Sequence, residues 1–144
     1  KENLTKFSHD EQKTMMSLWC MLLSPLMIAG EMTRFDEFTM SLLTNPELLE
    51  IEKKSFCAHM LRRQVVDGCE QITWFAPSVD GSCFYLALFN AGEKDTMVSV
   101  DITKLGIDVN SYYEIWTGKT GKVEGSVSET VASHGVAIYK LTRN

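Results

Sequence analysis

The feature that most constrains this chain is an abrupt change in residue usage near residue 64. Seven of the eight methionines precede that point, whereas every valine and eight of the nine glycines follow it. Leucine and methionine favour helices, valine favours strands, and glycine favours tight turns. The sequence therefore predicts an α+β chain, with a helical segment over residues 1–60 and a β domain over residues 61–144.

Length and charge exclude several classes of partner. The 144 residues are 44% hydrophobic, which suits one globular domain of ordinary size. The net charge is −5 and no cluster of Lys and Arg occurs, so the basic footprint that nucleic-acid phosphates require is absent from the sequence. The apolar runs, such as residues 26–29, are far too short to span a bilayer. We therefore predict neither a nucleic-acid nor a membrane partner.

The four cysteines show neither a CxxC pair nor the dense spacing of a disulfide framework. Cys20, Cys57, Cys69 and Cys83 are thus predicted to be free thiols, which favours the cytoplasm over secretion. A zinc site at Cys57, His59 and Cys69 would contain only one closely spaced ligand pair, whereas structural zinc normally uses two. We predict no metal site and no cofactor.

The first helix begins with a capping-box pattern, Ser8-x-x-Glu11, and Pro25 is predicted to end it. Spacing at 100° per residue predicts one apolar face toward the core and a polar face opposite. Met16 and Met21 widen the apolar face, so we expect contacts on more than one side of this helix. The predicted core face comprises Met15, Leu18, Trp19, Leu22, Leu23 and Leu26, and the polar face comprises Lys13, Thr14, Ser17 and Ser24.

After this helix, residues 26–29 form a short apolar run without alternation. Such a run predicts a strand buried on both faces, as in a parallel sheet. Thr33 or Asp36 would cap a second helix, and Asn45 with Pro46 would begin a third. A parallel strand needs neighbouring strands, and this half of the sequence supplies none. We therefore interpret it as the last piece of a larger α/β body.

The second half alternates apolar and polar residues in short runs separated by turn residues. Several short strands at regular spacing predict an antiparallel β-sandwich. The predicted strands are residues 71–76, 83–90, 96–102, 112–116, 122–128 and 135–141, with a further strand near residues 61–66.

Five stretches occur in an order that resembles one known family. Residues 17–19 with 22–28 resemble the segment SLWALLKAPLLIG, residues 42–51 resemble LLTNxEVIAIN, residues 85–90 resemble VALFN, residues 113–116 resemble DLW, and residues 133–137 resemble AHGV. Together they resemble the C-terminal third of glycoside hydrolase family 27 enzymes, the α-galactosidase (melibiase) and α-N-acetylgalactosaminidase group. The resemblance implies that residues 1–60 are the last helix–strand–helix portion of a (β/α)8 barrel, followed by a sandwich that buttresses it.

The resemblance also implies where catalysis would occur. Enzymes of this family hydrolyse α-galactosides with retention, using two aspartates roughly 5 Å apart. Both belong to earlier barrel strands and would precede Lys1, so no catalytic residue is predicted in this chain. The implied partners are the missing N-terminal part of the barrel and, through the parent enzyme, α-galactoside substrates.

Glu31 and four aromatic residues are candidates for substrate binding. Glu31 directly follows the predicted barrel strand, at the barrel end where catalytic groups lie; its alternative role is at the start of the next helix. Trp74 and Trp116, with Tyr112 and Tyr113, would form a sugar-stacking platform or, alternatively, pack in the core. An exposed platform would favour the alternative function, a non-catalytic carbohydrate-binding β-sandwich module.

Overall fold

The computed structural model describes residues 5–23, 27 and 32–144. Within these residues, α1 (His9–Met21), α2 (Glu37–Leu43) and α3 (Pro46–Lys54) precede all of the strands. No helix in these ranges is long and apolar enough to cross a membrane. The strands are β1 (His59–Val66), β2 (Cys69–Pro77), β3 (Phe84–Asn90), β4 (Thr96–Asp101), β5 (Ser111–Glu114), β6 (Thr120–Lys122), β7 (Ser126–Val131) and β8 (Val136–Thr142).

The strands form two antiparallel sheets, which confirms the predicted sandwich. The larger sheet has six strands in the order β1-β2-β3-β8-β5-β6, and the smaller sheet pairs β4 with β7. The strand prediction near residues 61–66 is also confirmed, because β1 pairs along its length with β2. This strand forms one edge of the larger sheet, and its register shifts between Met60 and Arg62.

Both faces of the larger sheet are apolar, as β3 illustrates. Leu86 and Leu88 pack toward the smaller sheet, whereas Tyr85, Ala87 and Phe89 pack toward the helices. Successive side chains of a strand point to opposite faces, so this strand contributes to two hydrophobic cores. The sequence therefore builds three layers: helices, six-stranded sheet and two-stranded sheet.

Asn90, at the end of β3, ties the two sheets together. Its side chain is 1% exposed. The Nδ2 group donates to the carbonyl oxygens of Lys94 at 2.8 Å, Val131 at 3.1 Å and Ala132 at 3.1 Å. The Oδ1 atom accepts a hydrogen bond from the Gly92 amide at 2.8 Å. A buried amide that is satisfied in this way fixes the loop after β3 against the end of β7.

The predicted helix starts are confirmed. Ser8 and Glu11 form both halves of the capping box at the start of α1. Asp36, rather than Thr33, caps α2, and its carboxylate accepts a hydrogen bond from the Thr39 amide at 2.7 Å. Asn45 caps α3, with proline in its first turn. These signals are local, since a cap depends only on side chains within three residues of the helix start.

The predicted core face of α1 was wrong at Met15 and Leu22, whereas Leu18 packs against the core as predicted. Met15 is 48% exposed and Leu22 is 47% exposed, whereas Met16 and Cys20 are buried. Ser17, predicted on the polar face, is 0% exposed. The helix packs its residue 16–20 side against α2, α3 and β8, so the buried face is rotated from the one that apolar spacing indicates.

Two predicted boundaries also differ from the structure. The helix ends at Met21, several residues before Pro25, with Leu22 as its C-cap. The predicted strand over residues 122–128 is two strands: β6 pairs with β5, and β7 pairs with β4. Gly125 lies between them with φ of +81°, a conformation that glycine adopts at little cost. The buried strand predicted over residues 26–29 falls outside the described residues.

We expect Asn90→Ala to lower the free energy of unfolding by about 2–3 kcal/mol, because the carbonyl groups of Lys94, Val131 and Ala132 and the Gly92 amide lose their hydrogen bonds to a buried side chain. Urea unfolding measures this loss. Asn144→Ala, at an exposed position, is the matched control and should change stability by no more than about 0.5 kcal/mol. Equal losses for the two variants would contradict the role given to Asn90.

Candidate functional site: a groove and a cleft beside helix α1

Helix α1 is attached to the larger sheet by polar contacts as well as by apolar packing. Trp116 Nε1 donates to Ser17 Oγ at 3.0 Å, and Thr14 Oγ1 donates to the His134 carbonyl oxygen at 2.7 Å. Lys13 Nζ lies 5.7 Å from the centroid of the Trp116 ring, within the range of a cation–π interaction. Trp116 belongs to the turn after β5, because this strand ends at Glu114, two residues before the end of the strand predicted over residues 112–116.

Helix α3 is attached through the carboxylate of Glu50. Its Oε1 atom accepts hydrogen bonds from Lys140 Nζ at 2.8 Å and Tyr85 OH at 3.3 Å, and Lys54 Nζ lies 3.4 Å away. Partial burial acts to raise the pKa of Glu50, but the hydrogen bond and charge of Lys140, with those of Lys54, outweigh it and hold the pKa below its ordinary value. Glu50 is therefore an ionised, structural group that joins α3 to the sheet.

The outward side of α1 and the neighbouring part of the sheet enclose an open apolar groove with a volume of about 610 Å³. Met15, Leu18 and Leu22 of α1 form one wall, and Ile72 and Trp74 of β2 contribute to the other. Among the described residues, the lining consists of Phe7, Glu11, Thr14, Met15, Leu18, Leu22, Met60, Ile72, Trp74, Phe89, Asn90, Ala91 and His134.

The groove exposes an unusual amount of apolar surface. Met15, Leu22 and Met60 are 48%, 47% and 46% exposed, and Phe7 is 54% exposed. Contiguous apolar surface of this kind marks binding sites for proteins or ligands on soluble domains. The groove is suited to burying another apolar surface, because its lining is mainly apolar. Most of the lining residues also have no group that could transfer a proton or act as a nucleophile.

A second, more polar cleft of about 270 Å³ lies near Trp116. Its lining includes Glu114, which is 3% exposed. The Oε2 atom of Glu114 accepts a hydrogen bond from the Thr117 amide at 2.7 Å, and Oε1 accepts one from the Ile138 amide at 3.1 Å. These bonds hold the turn after β5 against β8. Glu114 is therefore a structural carboxylate, with both oxygens occupied by backbone groups.

The structure places the predicted site residues in separate locations. Trp74 lines the groove, whereas Trp116 lines the cleft. Tyr112 packs edge-to-face on Tyr139, with ring centroids 5.3 Å apart. Glu31 falls outside the described residues. A sugar-binding role for Glu31, Trp74 or Trp116 stays a prediction.

Thiol chemistry at neutral pH is disfavoured at the cysteine in α1. The four cysteines are free, and Cys20, Cys69 and Cys83 are buried. Burial, assisted by the charge of Glu52, raises the pKa of Cys20 to about 12, so its thiol stays protonated and unreactive. Among residues 5–23, 27 and 32–144, no group of three or more His, Cys, Asp or Glu side chains is arranged to hold a metal ion.

Sequence reasoning missed the groove because it assigned Met15 and Leu22 to the core. The useful signal was the width of the apolar surface on α1, which indicated contacts on more than one side. Sequence reasoning also gave His134 no role beyond its place in residues 133–137, the stretch that resembles AHGV. Its side-chain partners, Glu11 and Glu93, are far away in sequence, so no local pattern identifies them.

Comparison with known proteins gives a consistent picture. A sequence model of the family described as the α-galactosidase C-terminal β-sandwich domain matches residues 68–141. The α-galactosidase D of Emericella nidulans is 26% identical over 135 residues, covering 91% of this chain and 20% of that protein. Across eight curated α-galactosidases that match, the chain spans between 20% and 35% of the relative's length.

Solved structures match over both the helices and the sheets. A family 27 β-L-arabinopyranosidase from Geobacillus stearothermophilus has 32% sequence identity and a TM-score of 0.88, covering 97% of this chain and 32% of that chain. The α-galactosidase from Saccharomyces cerevisiae has 20% identity and a TM-score of 0.82, covering 99% of this chain and 45% of that chain, which shows a shared fold.

We expect the Trp116–Ser17 hydrogen bond to contribute about 1 kcal/mol to the free energy of unfolding, because its hydroxyl partner is fully buried. The measurement is a double-mutant cycle with Trp116→Phe, Ser17→Ala and the combined variant. Phenylalanine retains aromatic packing and removes the donor. Strictly additive losses would show that these two side chains do not couple α1 to the sheet.

Proposed function

The chain belongs to the family of α-galactosidase C-terminal β-sandwich domains, and from that membership we propose that it is part of a retaining α-galactosidase-like glycoside hydrolase. Residues 61–144 are then the sandwich domain, and residues 1–60 are the last helix–strand–helix portion of the (β/α)8 barrel. The catalytic carboxylates and the α-galactoside pocket belong to the remainder of that barrel, which this chain contacts.

The extent of the structural match supports this assignment. The Geobacillus stearothermophilus enzyme matches 97% of the chain, so the agreement includes the helices as well as the sandwich. The matched part is 32% of that enzyme, which leaves most of its polypeptide for the rest of the molecule. This proportion is the one expected if the parent enzyme carries a barrel in front of the sandwich.

The observation that carries the proposal is the apolar groove beside α1. Met15 and Leu18 line it, and Met15 is 48% exposed. Burying a methionine or leucine side chain contributes about 1.5–3 kcal/mol. Coverage of the groove by the remaining barrel would therefore stabilise the whole enzyme. In this sense the sandwich, with α1, would buttress the barrel.

The alternative function, a non-catalytic carbohydrate-binding module, receives less support. A stacked sugar needs a free aromatic face, and the Trp116 ring has Lys13 Nζ 5.7 Å from its centroid. Its indole N–H is occupied by Ser17. Galactose titration followed by tryptophan fluorescence tests this alternative, and saturable quenching at millimolar sugar would favour it.

The proposal is tested in the longest natural polypeptide that contains this chain. We expect that polypeptide to hydrolyse p-nitrophenyl α-galactoside. We also expect Met15→Ala to lower its free energy of unfolding by about 2–4 kcal/mol, as for a buried methionine, with kcat/KM of the folded fraction unchanged.

Val79→Ala is the matched control, because Val79 is 69% exposed and lies outside the groove lining. It should change stability by no more than about 0.5 kcal/mol. A loss for Met15→Ala as small as the control's would refute coverage of the groove by the barrel. Absence of α-galactoside hydrolysis would refute the proposed activity.

A further inference from the structure

His134 lies between two carboxylates that come from different parts of the chain. Its Nδ1 atom is 3.0 Å from Glu11 Oε1, and its Nε2 atom is 3.0 Å from Glu93 Oε1. Glu11 belongs to the first turn of α1, and Glu93 belongs to the loop after β3. His134 itself lies in the turn between β7 and β8. One imidazole ring therefore connects the helical segment to two loops of the sandwich.

The turn that carries His134 is held firmly. His134 has a φ of +55°, in the left-handed region, and its amide donates to the Gly92 carbonyl oxygen at 3.3 Å. The neighbouring Ser133 donates from its hydroxyl to the same carbonyl oxygen at 2.9 Å. On the other side, Thr14 of α1 donates to the His134 carbonyl oxygen at 2.7 Å. The backbone thus presents the ring to both carboxylates.

Both contacts require a proton on each ring nitrogen. Ionised carboxylates only accept hydrogen bonds, whereas a neutral imidazole has one N–H and one lone pair. Loss of a proton would leave a lone pair facing a carboxylate oxygen at 3.0 Å. The hydrogen bond to Glu11, followed by the hydrogen bond and charge of Glu93, places the pKa of His134 above its ordinary value.

We propose that His134 is a pH-responsive joint, which holds α1 against the sandwich when the ring is protonated and loosens that contact when the ring loses its proton. The contact through His134 is strongest within one pH range, whose limits are set by the ionisation of His134 and of Glu11. Because its pKa is raised in the folded chain, His134 contributes stability below its ordinary pKa and loses that contribution as pH rises through the raised value.

Glu11 sets the acidic limit of the joint. Its pKa is lowered by the hydrogen bond from His134, then by the Ser8 amide. A lowered pKa contributes stability above the ordinary glutamate value, and that contribution is lost as pH falls through the lowered value. Attachment of α1 through this ring is therefore strongest between the ordinary pKa values of a glutamate and a histidine.

Two of the other charged groups near His134 contact different partners. Asp95 accepts a hydrogen bond from the Ser133 amide at 3.1 Å, and Lys13 lies over the Trp116 ring. Asp10 and Lys94 complete the charged side chains adjoining the two carboxylates along the chain. Asp10 belongs to α1. None of the variants below substitutes it, so any effect of its charge is common to all of them.

The first test compares the full chain with His134→Asn. Asparagine tolerates left-handed backbone, so this variant retains the turn and removes the titrating ring. We expect the unfolding equilibrium constant of the full chain to rise about two- to fivefold, relative to the variant, as pH increases from 6 to 9.

His59→Asn is the matched control. His59 is exposed, and its one hydrogen bond within the described residues is to the Cys57 carbonyl oxygen. If the unfolding equilibrium constant depends on pH equally in the unsubstituted chain and in His134→Asn, the proposal is overturned.

A second measurement reports on the ring and on α1 directly. NMR of the full chain follows imidazole nitrogen shifts of His134 together with hydrogen exchange of the Trp116 indole N–H, which is bonded to Ser17 of α1. We expect His134 to titrate above the ordinary pKa of histidine. Exchange of the indole N–H should accelerate through the same titration once the rise due to base catalysis is subtracted. Titration of His134 at or below the ordinary histidine value, or indole exchange independent of that titration, would overturn the joint.

Discussion

The whole arrangement depends on a six-stranded sheet that is apolar on both faces. In β3, every residue from 85 to 90 is buried, so both faces of this strand are shielded from water. The small sheet covers one face, and the three helices cover part of the other. Because hydrophobic burial is the main favourable term in folding, the position of α1 follows from this need. Within residues 5–23, 27 and 32–144, coverage on the helical side is incomplete, and the uncovered part is the groove.

Features encoded within a few residues were predictable from the sequence. The caps at Ser8, Asp36 and Asn45 depend on neighbouring amides, and the strands show in the alternation of side chains. The buried face of α1 was not predictable, because buried Ser17 accepts its hydrogen bond from Trp116, 99 residues away. A hydroxyl that reads as polar surface becomes a buried acceptor only when the chain brings a donor to it.

The candidate site was also predictable only in the parts that neighbouring residues encode. Motif order resembled family 27 enzymes, and the family match over residues 68–141 confirms that resemblance. The groove emerged only when α1 and β2 were placed side by side, since Met15 and Trp74 belong to different halves of the chain. The parallel strand predicted over residues 26–29 and the roles of the candidate residues stay predictions.

The two ends of the larger sheet are unequal. On one side it ends in β6, only three residues long, and on the other in β1, eight residues long. A long unpaired edge is a template on which other molecules add strands and aggregate. Here the register shift after Met60 interrupts the edge, and Arg62 reaches across to the Ser99 carbonyl oxygen at 2.8 Å. A charged side chain and an irregular register both disfavour the addition of a further strand, so this edge is a poor template for pairing between copies of the chain.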